Sequence, residues 1–375
     1  VNAAGKVLLT GGGSAGHVTL NAALVPLFRA RGWDVCYVGS QNGIERGLMA
    51  RLDVRYHAIQ TGKWRRYFSL RNVSDVFRII AGFFAALKVL KREHPALLFS
   101  KGGFVSVPPC AAAKVLGIPV FTHESDYSPG LATRINTRFA EKIFVPYGES
   151  AAFFPDRLKG KICVSGNPIR PDFAAADPAK GREFLSLGDG ERILLVLGGS
   201  LGSLEINSLV RAALPELTRH YTVVHQTGEV DAAPRGDVTT RYKPYAYFKD
   251  EIPHIIAAAE LILCRSGAGT IWECKSLNKP MVLIPFRGSG TRGDQVENAR
   301  LFEKAGAAIC FIPEEPAPAE KLSALIISLA EDPQKRRLMG EANIARTTVS
   351  EGPAASEGAA GFIAEEIVRR VGEKK

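Results

Sequence analysis

Short apolar runs alternate with longer amphipathic stretches along most of the chain. "KVLLT" leads into Gly11–Gly16, and apolar periodicity predicts a helix over about residues 21–31. "WDVCYVG", "ALLFS", "PVFTHE" and "KIFVP" read as further strands, with helices between them. This rhythm predicts a parallel sheet covered by helices on both faces. It pauses at "SGNPIRPDF", residues 165–173, whose prolines and glycine suit a linker. It restarts with "RILLVLGGSLGS", "TVVHQTG", "LILCRSGAGT", "PMVLIPF" and "AAICFI". The expectation is an α/β chain of two doubly wound halves: domain 1–165, domain 166–353, and an amphipathic C-terminal helix within 354–375 that returns toward the first. Ligands of such sheets sit at the carboxyl ends of strands, and a cleft between domains is the natural site.

Composition narrows the class. At 375 residues, 46% hydrophobic and 23% charged, the chain can build two cores. No run approaches the roughly 18 apolar residues of a membrane span, and residues 1–10 read as a strand rather than a signal peptide. A soluble or peripheral protein is expected. The six cysteines form no CxxC pair, which argues against a zinc site. Cys36, Cys264 and Cys310 lie in apolar runs and are expected as buried thiols, in keeping with a reducing cytoplasm. The net charge of +10 is uneven: residues 1–165 hold 22 Lys and Arg against 10 Asp and Glu, the remainder 26 against 28. Nucleic acid or an anionic membrane could each account for a basic first half.

Four glycine loops carry the candidate chemistry. Gly11, Gly13 and Gly16 fit G-x-G-x-x-G between a strand and a helix, with His17 opening the helix. A dinucleotide site would place an acid after the second strand, but that strand ends in Gly39-Ser40 and Asp34 precedes it. What remains is close backbone approach at a helix N-terminus, which favours a phosphate. There His17 is either a packed or capping histidine or a catalytic or binding one. "KGGFVSVP", "GGSLGS" and "RSGAGT" repeat the theme. Glu273 stands one turn into the helix after "RSGAGT", placed for a ribose diol or simply favoured by the helix dipole. Asp294, Gln295 and Asn298 in "GDQVENA" suit sugar hydroxyls, although a solvated helix start would look the same. Four loops at corresponding places in two halves point to a phosphate-rich ligand.

The order and spacing of "GGGSAGHVT", "KGGFVSVP", "HESD", "GNPIR", "GGSLGS", "CRSGAGTIWE", "VLIPF" and "GDQVENA" resemble the bacterial MurG family over nearly the whole chain. That resemblance implies the GT-B fold, two Rossmann-like domains facing a cleft, and an inverting transfer without metal or other cofactor. It implies UDP-GlcNAc as donor and undecaprenyl-pyrophosphoryl-MurNAc-pentapeptide as acceptor, in peptidoglycan synthesis. Carried over residue by residue, it implies donor contacts at Arg170, Ser200, Phe248, Ala268, Gly269, Thr270, Glu273, Asp294 and Gln295. Acceptor contacts would fall on Ser14, Ala15, Gly16, His17, Gly102, Gly103 and His123, with His17, Asp126 or Glu124 as the base. Leu20 stands where many members have proline and Asp126 where several have asparagine, so the base is left open among the three. The alternatives are another GT-B glycolipid transferase, a UDP-GlcNAc 2-epimerase, an NAD-dependent oxidoreductase built on the first glycine loop, and a nucleic-acid-binding protein. Four phosphate loops speak against the last, and no nucleic-acid partner is expected.

Residues 63–92 hold eight Lys and Arg against the single acid Asp75. A helix over about 74–92 would carry Phe77, Ile80, Phe83 and Phe84, with Val73 just before it, more apolar surface than one sheet-packed helix must bury. Basic ends and an apolar face suit an anionic membrane surface. A core helix with solvated ends is the alternative. With a lipid-linked acceptor, the expected location is the cytoplasmic face of the cell membrane, held peripherally.

Overall fold

The structure, a computed structural model, describes residues 4–373 apart from 14, 63–70, 200–201, 229–230, 232–239, 289–290, 315 and 346–357. The side chains at 15–17, 19, 71–74, 344 and 345 are also outside the description. The chain divides into two compact units, Val1–Arg170 with Val349–Lys375, and Pro171–Thr348.

The first unit is built on seven parallel strands: β1 (Gly5–Thr10), β2 (Trp33–Ser40), β3 (Arg55–Ile59), β4 (Leu97–Ser100), β5 (Val120–His123), β6 (Lys142–Val145) and β7 (Ile162–Val164). Their order across the sheet is β3-β2-β1-β4-β5-β6-β7. The central strands are buried on both faces, which is why they appear as continuous apolar runs without polar alternation. Successive residues still part to opposite faces. Val7 and Leu9 join a core with Leu24 and Phe28 of the Ala15–Ala30 helix and Ile363 and Ile367 of the Gly358–Gly372 helix. Leu8 joins the opposite core with Ala86 and Leu90 of the Arg71–Glu93 helix and Cys110 of the Val107–Val115 helix. The last helix is thus part of the first unit, and Arg370 pairs with Glu141 there at 2.7 Å.

The second unit repeats the plan with β8 (Ile193–Leu197), β9 (Thr222–Gln226), β10 (Tyr242–Tyr245), β11 (Leu261–Cys264), β12 (Met281–Leu283) and β13 (Ala308–Cys310), all parallel, in the order β10-β9-β8-β11-β12-β13. Leu194 and Val196 pack with Val210 and Leu217 of the Leu204–His220 helix and Ile326 of the Pro318–Glu331 helix. The first helix starts at Ala15, six residues ahead of the expected periodicity, and Ala355–Glu357 of the expected last helix lie outside the described residues. Cys36, Cys264 and Cys310 are buried free thiols.

Glu93, 7% exposed at the end of the Arg71–Glu93 helix, ties that helix to the sheet. Its carboxylate accepts from Lys6 Nζ at 3.0 Å and Arg55 Nη1 at 2.7 Å, and His57 Nε2 lies 3.0 Å away. Burial alone would raise its pKa, but the Lys6 and Arg55 hydrogen bonds prevail and hold it at about 2. A depressed carboxyl pKa adds stability above the unfolded value of 4.5 that is lost as pH falls toward 2. Glu93→Gln is therefore expected to cost about 1–2 kcal/mol at neutral pH, a modest figure because solvent screens the exposed Arg55. It should also flatten the acid limb of stability between pH 4.5 and 2, as urea unfolding across that range would show.

Candidate active site

Both strand orders reverse direction at one place. In the first sheet that place lies between β1 and β4, in the second between β8 and β11. All four glycine loops emerge there, two at each switch point, where open α/β sheets bind their ligands. The same backbone bond closes each pair: Lys101 N donates to Thr10 O at 2.8 Å, and Arg265 N to Leu197 O at 3.3 Å.

In the first unit, Gly13, Gly102 and Gly103 adopt φ of 86°, 84° and 75°, which a side chain would strain. The second loop is braced from below. Asn136 Nδ2 donates to Ser100 Oγ and Ser106 Oγ, Gly102 N donates to Ser100 Oγ, and Ser106 Oγ donates to Gly103 O. Ser14 lies outside the described residues, as do the side chains of Ala15, Gly16 and His17, whose backbone forms the helix start. Lys101 is buried beneath the loops, with Nζ donating to Ser125 Oγ. Burial pushes its pKa down to about 8 against the pull of Glu124 and Asp126. Nothing in the sequence marked this lysine beyond its place before Gly102.

Three of the expected site residues are deeply buried. Glu124 Oε1 accepts from Ser125 N and Asp126 N, and Oε2 from Gly130 N, at 2.8–3.1 Å. Its carboxylate thus shapes the 125–130 turn, a duty that competes with that of a base. His123 is fully buried, and Nε2 donates to Gly166 O at 2.9 Å. Burial, then the charge of Lys101, keeps its pKa well below the ordinary value, so it is a neutral brace and not a surface for an acceptor. Phe248 is 3% exposed, with its ring 4.8 Å from that of Tyr245 and 6.3 Å from that of Phe184. That cluster occupies the ring, which is not free to stack on a base. Asp126 stays half-buried beside Ser125, and Arg170 is half-buried at the end of the first unit.

The second unit stitches its loops together by side chains. Arg265 donates to Ser203 Oγ at 2.7 Å and to Ile284 O at 3.2 Å, and pairs with Glu205 at 2.7 Å. Gln226 donates to Gly199 O and accepts from Phe248 N. Ser266 Oγ donates to Gln295 O, while Gln295 Oε1 accepts from Phe286 N. Asp294 lies 3.6 Å from Arg292. Ser200 lies outside the described residues. Ala268, Gly269, Thr270 and Glu273 share the start of the Ala268–Ser276 helix, whose N-cap Gly267 offers no side-chain cap. Its first N–H groups are thus left for an anion. A Cβ at Gly267 or Gly269 would meet no protein atom within 4 Å, and neither residue has positive φ. The fold does not require glycine at either position.

The Arg71–Glu93 helix has two apolar faces. Gly82, Ala86 and Leu90 face the core with Phe83 against them, while Val76, Phe77, Ile80 and Phe84 are exposed, Phe77 by 68% and Phe84 by 64%. Phe77 and Phe84, seven residues apart, stand nearly above each other, whereas Phe83 is turned about 120° from Phe77. Phe83 therefore belongs to the core side of the expected membrane set; Val73 has its side chain outside the described residues.

Two parallel Rossmann-like sheets with phosphate loops at both switch points are the GT-B architecture of sugar-nucleotide transferases. Residues 7–145 match the glycosyltransferase family 28 N-terminal domain and residues 193–352 its C-terminal domain. Within that class the chain belongs to the MurG family. It is 41% identical over 331 residues to the UDP-N-acetylglucosamine–N-acetylmuramyl-(pentapeptide) pyrophosphoryl-undecaprenol N-acetylglucosamine transferase of Clostridium novyi, covering 88% of this chain and 92% of that one. The protein of the same name from Treponema denticola is 40% identical over 334 residues, covering 83% and 85%. In fold the chain is similar to MurG of Acinetobacter baumannii, with TM-score 0.73, 22% identity and coverage of 97% and 99%. It is similar in the same way to a UDP-GlcNAc 2-epimerase of Neisseria meningitidis, with TM-score 0.65, 15% identity and coverage of 97% and 100%.

Gly269→Ala separates fold from ligand. Alanine should leave the melting temperature unchanged or slightly raised, since helical glycine costs up to about 1 kcal/mol. Affinity for UDP, measured by calorimetry, should fall at least about tenfold because the methyl group occupies the space of a phosphate.

Proposed function

We propose that this chain transfers N-acetylglucosamine from UDP-GlcNAc to the C4 hydroxyl of a lipid-linked N-acetylmuramyl-pentapeptide, inverting the anomeric centre. The observation that carries the reading is 41% identity across 88% of the chain to an enzyme named for that reaction. The acceptor oxygen forms a bond to the anomeric carbon as the bond from that carbon to UDP breaks, and the electron pair leaves with UDP. The uncapped N-terminus of the Ala268–Ser276 helix stabilises the charge that develops on the diphosphate. Thr270 and Ser200 join it, Glu273 holds the ribose diol, and Asp294 and Gln295 meet the sugar. The loops at Gly13–His17 and Gly102–Gly103 hold the acceptor diphosphate. His17, Asp126 and Glu124 are the candidates for the group that takes the hydroxyl proton, with Glu124 also engaged by three backbone N–H groups. Among the described residues no three His, Cys, Asp or Glu side chains gather in a metal-binding group.

An assay of UDP release tests this reading. Release in EDTA should require the lipid-linked acceptor; release without any acceptor, or only with added divalent metal, would count against it. Glu273→Ala should raise the UDP-GlcNAc KM about tenfold or more, the worth of a hydrogen bond to a charged group. An unchanged KM removes Glu273 from the donor site.

Among the described residues no helix is long and apolar enough to cross a membrane. We assign attachment at the cytoplasmic face to the exposed apolar face of the Arg71–Glu93 helix, flanked by Lys88, Lys91 and Arg92. Each basic group near anionic headgroups contributes about 1 kcal/mol. Phe77→Ser with Phe84→Ser should reduce sedimentation with anionic vesicles at an unchanged melting temperature. Equal sedimentation would show that the face has another purpose.

A further inference from the structure

The first unit contains a cavity of about 680 Å³ that touches the first glycine loop at Gly13 and otherwise lies outside the roles above. It opens at the carboxyl ends of β1, β2 and β3, and Ser40, Gln41, Asn42, Glu45, Gln60 and Arg78 supply most of its polar lining. Ile44, Ile59 and Phe104 add apolar wall.

Its floor is built with care. Glu45 is fully buried, and Oε1 accepts from Ser40 N at 3.0 Å. Oε2 has no hydrogen-bond partner. Three glycines make room for the carboxylate: a Cβ at Gly12, Gly39 or Gly43 would stand 2.6, 2.9 and 2.1 Å from Glu45 side-chain atoms. A buried acceptor left unmatched is costly, so a hydrogen-bond donor reaching Oε2 would be favoured. The wall is equally fixed. A Cβ at Gly82 would lie 2.2 Å from Gln60 O and one at Gly62 2.2 Å from Asp75 O, which holds the Arg71–Glu93 helix and its Arg78 against the 60–62 segment. Arg78 pairs with Asp75 Oδ1 at 3.3 Å and is 61% exposed.

We propose that this cavity binds the peptide stem of the acceptor. Its chemistry is that of a short peptide: a carboxylate oxygen for N–H groups, side-chain amides at Gln41, Asn42 and Gln60 for peptide bonds, and a guanidinium for a free carboxylate. Side-chain amides on two sides of the cavity match the alternating N–H and C=O groups of a peptide more closely than they match a diphosphate, which offers acceptors only. The identity of the peptide rests on the transfer reading above; the peptide-binding chemistry does not.

Two measurements test the proposal. In the first, KM is compared for lipid-linked acceptors with and without the pentapeptide. Arg78→Ala, and separately Gln41→Ala with Gln60→Ala, should raise the KM of the peptide-bearing acceptor about tenfold. The KM of the peptide-free acceptor and that of UDP-GlcNAc should change less than about twofold. Equal rises with both acceptors, or none with either, would overturn it. The double amide variant leaves charge untouched, so a membrane effect of Arg78 cannot mimic the result. In the second, soluble N-acetylmuramyl-pentapeptide without lipid is titrated while the side-chain amide resonances of Gln41, Asn42 and Gln60 are followed. Saturable shifts that N-acetylmuramic acid alone does not produce support the site, even in an enzyme found inactive in transfer, where only the functional reading would fall. An absence of shifts overturns the site whatever the activity.

Discussion

Parallel strands send all their connections over the faces of the sheet, and at one position neighbouring connections leave to opposite sides. The crevice opened there has a floor of strand ends, and in both units a single backbone bond sets its width, Lys101 N to Thr10 O and Arg265 N to Leu197 O. Each bond brings a basic residue down between two glycine loops. Lys101 goes fully under and is held by Ser125; Arg265 is largely covered and is held by Ser203 and Glu205. A basic residue thus lies at each switch point, Lys101 near the carboxylates of Glu124 and Asp126 and Arg265 paired with Glu205. Diphosphates on both substrates are the ligands such a pair of crevices suits, and the neighbouring polar side chains either hold the loops in shape or reach the sugar.

That division explains which parts were legible in the sequence. Ten of the thirteen strands stand out as apolar runs because both their faces are covered. The three that do not, β3, β7 and β10, are all at sheet edges. Their sequences, "RYHAI", "ICV" and "YKPY", are short and half-exposed, with one neighbour each. An edge strand takes its place from the sheet already formed, so its own residues carry little signal. The glycine loops were legible for the opposite reason. Positive φ at Gly13, Gly102 and Gly103 demands a particular residue at a particular place.

Side-chain duties were less legible, because a sequence position does not say what the side chain meets. His123 and Glu124 stand two and one residues before Ser125, close to the expected reaction centre, yet one turns into the core and the other closes a turn. Phe248 follows an edge strand and was expected as a donor contact, and in the structure its ring packs with those of Tyr245 and Phe184. In each case a buried polar or aromatic group found partners within its own unit, the usual outcome where desolvation is costly. Glu45 Oε2, like His123 Nδ1, is left without a partner, and of the two only Glu45 borders the cavity beside the first glycine loop.

The Arg71–Glu93 helix joins the two ends of the problem. A lipid-linked acceptor has an apolar chain that stays in the bilayer and a polar head that must reach a protein crevice. One face of this helix is spent on the sheet core, and a second exposes Val76, Phe77, Ile80 and Phe84. Arg78 projects on the remaining flank, about 100° around from Phe77, into the wall of the cavity beside the first glycine loop. The glycines at 62 and 82, whose absent side chains let the helix touch the 60–62 segment, fix the apolar face and the polar cavity relative to each other to within a side chain's reach. Because Arg78 and the exposed phenylalanines share one helix, an acceptor whose headgroup entered the cavity while its acyl chains met that apolar face would be presented in a single orientation, as the proposed roles require. The excess of positive charge in residues 1–165 lies in the unit that contains this helix, while the remainder of the chain has no comparable excess.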